Sequence, residues 1–130
     1  KGVYAIGYNS DMSLYGENAH LTASVHNWGP IYVSKAQAVI DGSWKSEDLW
    51  VGIDSGVVEI APFNKAVPQD VQDKVMAAKK AIAEGKLKPF TGPIRNQDGK
   101  EMVASGAVMS DADMLGFKWF VEGVLGDLPK

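Results

Sequence analysis

The side chains best suited to hold a small molecule gather near the start of the chain: Asn9, Ser10 and Asp11, then His26 and Trp28. Asn9 can donate and accept at once, as a nucleobase edge or a sugar hydroxyl requires. Trp28 offers a flat π surface, and stacking a planar ring on such a surface is worth about 0.5–1.5 kcal/mol beyond burial. Each has a plainer reading beside it. Asn, Ser and Asp also make ordinary polar turns, and a tryptophan can simply fill a core. Trp44, Trp50 and Trp119 are read as structural for that reason.

Other chemistries are poorly supplied. His20, His26 and Asp11 could be weighed as metal ligands, but zinc sites usually bring ligands in tight pairs, and a strand-like run separates the two histidines. The segment from Asp11 faintly echoes a calcium loop, yet Thr22 stands where the closing bidentate glutamate belongs. There is no cysteine, no Gly-x-Ser-x-Gly elbow and no phosphate-cradling Gly-x-x-x-x-Gly-Lys-Ser/Thr loop. The acidic residues present no spacing that singles out a catalytic pair. No catalytic residue, metal or cofactor is expected, and a binding protein fits better than an enzyme.

The elements that must position these groups follow an α/β grammar. An apolar run over Val3–Tyr8 delivers Asn9, Ser10 and Asp11 as a buried parallel strand delivers polar groups to the carboxyl edge of a sheet. In open α/β sheets, ligands settle outside those strand ends. Leu21–Val25 reads as a second strand, and Pro30 opens a helix carrying Val33, Ala36, Val39 and Ile40, closed at Gly42. Leu49–Ile53 and Val57–Ala61 around Asp54-Ser55-Gly56 predict a hairpin. A helix from about Pro68 to Glu84 shows Val71, Val75, Ala78 and Ile82 on one stripe, with Gly85 as cap. Ile94–Val103 predicts a second hairpin turning at Asp98-Gly99. Ser110 and Asp113 resemble a capping box for a last helix that turns Leu115, Trp119 and Phe120 or Val124 inward.

With 13 basic and 16 acidic residues, a net charge of -3 and no basic stripe, the 130-residue chain is no nucleic-acid surface. No apolar run approaches the ~20 residues of a membrane helix. The chain enters its strand pattern directly after Lys1-Gly2, whereas a parallel strand needs neighbours on both sides. A fragment without its amino-terminal portion is therefore expected.

Several stretches together resemble the basic membrane protein family, the substrate-binding lipoproteins of ABC transporters. These are Ala5-Ile6-Gly7-Tyr8-Asn9-Ser10-Asp11, His20-Leu21-Thr22, Asn27-Trp28-Gly29-Pro30, Val57 to Asn64, Phe90-Thr91-Gly92-Pro93 and Asp98-Gly99-Lys100. The resemblance implies the carboxyl-terminal portion of a type I periplasmic-binding α/β fold with two lobes. Residues 1–50 would form the ligand-cleft lobe, and residues 51–130 the hinge crossing and the segments returning to the other lobe. It implies capture of a purine nucleoside or nucleobase between the lobes, a membrane permease as partner, and an extracytoplasmic, lipid-anchored location. The ligand-binding residues implied are Asn9, His26 and Trp28, with Asp11 behind them. Asn9 stands where the family commonly has an aspartate for sugar hydroxyls, and a neutral amide lacks the charge-assisted strength of a carboxylate. His26 stands where nucleoside-binding members often have a lysine. Both departures fall on the sugar side, so a free nucleobase such as adenine, or another planar heterocycle, becomes a rival to the nucleoside. A sensory or interaction domain on the same fold, and a small hydrolase, are the alternatives from other classes.

Overall fold

The computed structural model describes residues 2–126, so Lys1 lies outside the described residues. They divide between Lys86 and Leu87 into two compact units.

The first unit is built on a three-stranded sheet of order β1-β2-β3, with β1 Ala5–Asn9, β2 His20–His26 and β3 Val58–Ile60. β1 and β2 run parallel, and β3 returns antiparallel to β2. The expected parallel pair is therefore present. β1, however, is an edge strand with four of its five residues exposed, rather than a buried one, because it pairs on one side only. The register steps from Ala5 opposite His20 to Ile6 opposite Thr22, which leaves Leu21 as an extra residue in β2. A bulge of this kind flips the alternation of side chains. It puts His20 on the face of Gly7 and Ala23, opposite the face that carries Ile6 and Tyr8. A Cβ built on Gly7 would lie 2.9 Å from His20 Cε1 and 3.0 Å from Ala23 Cβ, so only glycine leaves the histidine its place.

Helix α1, Gly29–Ile40, starts with Pro30 in its first turn, where the missing N–H costs nothing. Gly42 ends it at φ 69°, the left-handed conformation that glycine adopts freely. None of its residues is buried, although Val33, Val39 and Ile40 occur at helical spacing. Helix α2, Gln69–Ala83, has Asp70 in its first turn and Lys80 in its last, matching the helix dipole. It is tied to the sheet by an ion pair between Lys79 and Glu59 of β3. Val75, Ala78 and Ile82 of the expected stripe are half-buried, while Val71 is exposed.

The hairpin expected over Leu49–Ala61 does not form. Ile53–Ser55 is instead a single 3₁₀ turn closed by Gly56 at φ 73°, and residues 49–52 before it form no strand. The free ladder groups of β2 decide this: Ala61 N donates to Ala23 O at 2.9 Å, and Asn27 N to Val57 O at 2.7 Å. A central strand offers Val58–Ile60 a better partner than its own neighbour in sequence. Trp44 and Trp50, read as structural, are more than half exposed.

The second unit carries the second hairpin, β4 Ile94–Arg95 with β5 Glu101–Val103, turning over Asp98 and Gly99 as the sequence predicts. Asn96 Oδ1 accepts from the Asp98 and Lys100 N–H groups at 3.1 and 2.9 Å, which holds that turn. Helix α3, Asp111–Leu115, opens on Ser110, whose Oγ accepts from Asp113 N at 3.2 Å. The capping pair is therefore as expected, but the helix is only one turn long. Leu115 faces solvent, and Trp119 and Phe120 are half-buried beyond the helix end.

The tightest backbone approach lies at Gly92, where a Cβ would fall 2.1 Å from Ala104 O and 2.5 Å from Val103 O. Gly92→Ala is expected to destabilise the hairpin unit by about 2 kcal/mol or more, since backbone cannot move aside as a flexible side chain can. Hydrogen exchange should show faster opening at Ile94 and Val103 and little change in β2.

Candidate functional site

Parallel pairing brings the carboxyl ends of β1 and β2 side by side, with Asn9 opposite Val25 and His26 the next residue along. Among the described residues Asn9 is the non-glycine residue with positive φ, 70°, a conformation that asparagine tolerates better than most. It is exposed at the strand's end. From His26 an aromatic run extends along this edge. The Tyr8 and His26 rings meet edge-on at 6.1 Å between centroids, His26 stacks on Trp28 at 5.4 Å and 27°, and Trp28 stacks on Tyr32 at 6.3 Å and 19°. Such pairs contribute about 0.5–1.5 kcal/mol each beyond the area they bury. The outer rings stay largely open: Tyr8 is 74% exposed, Trp28 43% and Tyr32 67%.

Three of the residues singled out from the sequence, Asn9, His26 and Trp28, thus come to one sheet edge. Tyr8 and Tyr32 join them and were missed. Tyr32 had a signal in the sequence, lying one helical turn beyond Trp28, whereas Tyr8 shares a face with His26 only through the β1–β2 register.

Asp11 does different work. Its Oδ1 accepts from the Ser13 N–H at 2.9 Å and lies 3.2 Å from His20 Nε2. The backbone N–H and hydroxyl of Ser13 hold the carboxyl below the usual aspartate value of 3.8, against the opposing effect of desolvation and with a lesser contribution from the nearby His20. Asp11 therefore stabilises the loop after β1. The two histidines, weighed above as metal ligands, sit on opposite faces of the sheet. Among the described residues no three His, Asp or Glu side chains gather as a metal would need. No helix there is long and apolar enough to cross a membrane.

Residues 1–89 match the Bmp family, described as ABC transporter substrate-binding protein PnrA-like. The chain belongs to that family. It is a family of substrate-binding proteins and not of enzymes, and the parallel-containing α/β sheet is part of its periplasmic-binding-type fold. Over all 130 residues the chain is 42% identical to a purine-binding protein of Brucella abortus, of which it covers 37%. It is 28% identical over 128 residues to a Haloferax volcanii protein provisionally named an ABC transporter glucose-binding protein, covering 98% of this chain and 30% of that one. Among solved structures it is similar to a transcriptional activator of the comK gene from Bacillus halodurans. That match has a TM-score of 0.58 and 28% identity, and covers 66% of this chain and 30% of the other. The chain spans about a third of the length of these relatives.

The low Asp11 value gives a signed pH dependence. Because folding depresses the carboxyl's value, its contribution is present above about pH 3.8 and is lost as pH falls through the folded value. Carboxyl NMR should find Asp11 titrating below 3.8, and Asp11→Asn should remove that part of the acid limb of a stability curve. A normal aspartate titration would contradict the Ser13 and His20 contacts.

Proposed function

We propose that this chain is the carboxyl-terminal portion of an extracytoplasmic solute-binding protein that serves an ABC importer and binds a purine nucleobase or nucleoside. The observation that carries the reading is the open aromatic run Tyr8, His26, Trp28 and Tyr32 beside Asn9, at the carboxyl edge of a parallel strand pair. That edge is where α/β sheets place ligands, and stacked rings beside an amide suit a planar, hydrogen-bonding heterocycle. Asn9, His26 and Trp28 face the ligand, and Asp11 holds the loop behind them. Residues 1–50 supply the cleft side, while 51–130 carry the hinge crossing and the segments that return to the other lobe. The loaded protein hands its ligand to a membrane permease, and a lipid anchor keeps it at the outer surface of that membrane. Binding is noncovalent and uses no metal or catalytic step. The purine assignment is supported by the name of the Brucella relative. The neutral Asn9 favours the free base over the ribose-bearing form, because an amide binds sugar hydroxyls less strongly than a carboxylate does.

A second reading has an observation of its own: the solved Bacillus relative is a transcriptional activator. On that reading the same crevice reports a small molecule to a regulatory partner. The two readings share the ligand site and differ in the protein that responds.

Isothermal titration of the full-length protein with adenine, adenosine and glucose tests the site. Adenine is expected to bind most tightly and glucose least. Trp28→Ala is expected to weaken purine affinity about tenfold through the lost stacking, with Asn9→Ala costing a similar factor. Unchanged affinity in both variants would remove the edge from the binding site.

A further inference from the structure

We propose that His20 is a positioning residue for the ligand site, holding through Asp11 the loop that begins at Asn9. The proposal rests on the reading that Asn9 faces the ligand. His20 is 6% exposed, and its Nε2 has no aligned hydrogen bond among the described residues. The polar atom placed to answer it is Asp11 Oδ1 at 3.2 Å.

Three features make that placement specific. The Leu21 bulge turns His20 to the face on which Gly7 leaves room for its ring. The loop folds back over the same spot, since Ser10 O lies 3.3 Å from where a Gly7 Cβ would be. Asp11 Oδ1 also takes the Ser13 N–H at 2.9 Å, so one carboxylate oxygen ties the loop to itself and to β2. The far end of the loop is fixed separately. Asn64 Nδ2 donates to Glu17 O at 2.7 Å and to His20 O at 3.0 Å. The loop is thus held at both ends, and the His20–Asp11 contact is the clamp nearer the ligand edge. Asn9 at φ 70° is the first residue to feel that clamp loosen, because the turn it makes is one that most L-residues avoid.

A histidine that merely filled space would be replaced without loss by an apolar side chain of similar size. A positioning residue needs its N–H. The full-length protein with His20→Leu and with His20→Gln separates the two. Leucine fills the space but cannot donate, while the glutamine amide can reach Asp11 from the same site. In His20→Leu, amide exchange over residues 10–16 is expected to accelerate about tenfold, as for a lost close contact between a buried imidazole and a carboxylate, with the β4–β5 hairpin unchanged. Adenine affinity should fall by a comparable factor, and His20→Gln should restore most of both. Should His20→Leu fail to fold, Asp11→Asn probes the same contact from the exposed side. Asparagine keeps an oxygen for the Ser13 N–H and removes the charge facing His20, so exchange over 10–16 should again rise. Unaltered loop exchange in a folded His20→Leu protein, or a glutamine variant no better than leucine, overturns the proposal. If the unaltered protein binds no purine, the assignment of ligand fails, while the exchange measurement still decides the role of His20.

Discussion

The parallel pairing of β1 with β2 is the constraint on which the rest of this molecule depends. Because the strands run the same way, their carboxyl ends emerge at one edge, and residues far apart in the chain become neighbours there. Asn9 and His26 gain their adjacency from this pairing alone. Tyr8 joins the aromatic run through it, while Trp28, which caps α1, and Tyr32 within α1 follow directly from β2. β3 secures the other side of β2 and brings Glu59 within reach of Lys79 on α2. An antiparallel β1 would carry Asn9 and Tyr8 away from His26 and leave the stack of His26, Trp28 and Tyr32 without them.

The bulge at Leu21 divides the two histidines between two tasks. His26 stays on the face of Tyr8 and joins the aromatic edge. His20 crosses to the face of Gly7 and is buried against the returning loop. One extra residue in one strand therefore separates the aromatic edge from the histidine buried behind it. It also accounts for Gly7, whose missing side chain is the space that the His20 ring uses.

Much of this was legible in the sequence, for identifiable reasons. Pro30, Gly42, Gly85 and the Ser110 cap act through local backbone chemistry, so the helix ends they mark could be read from composition and spacing. The position of Asn9, His26 and Trp28 at the strand ends was legible because an apolar run gives way there to polar residues or to the start of a helix. The hairpin over Leu49–Ala61 was misread because a local turn signal competed with a distant strand edge, and the distant edge won. The bulge was invisible, since the alternation of His20, Thr22, Ser24 and His26 implies one common face. Tyr8 and Tyr32 were passed over because aromatic residues at strand and helix spacing ordinarily pack inward; here they stay open at the sheet edge.

Membership of the Bmp family joins this chain to substrate-binding proteins, while the Bacillus structure ties the same scaffold to transcription. A small molecule recognised at the strand ends would serve either use. The most direct measurement is native mass spectrometry of the freshly purified full-length protein. A co-purified mass matching a purine base or nucleoside is the predicted result, and the mass itself tells whether ribose is present. A protein that carries a hexose, or carries nothing and shows no thermal shift with any purine, would contradict the account.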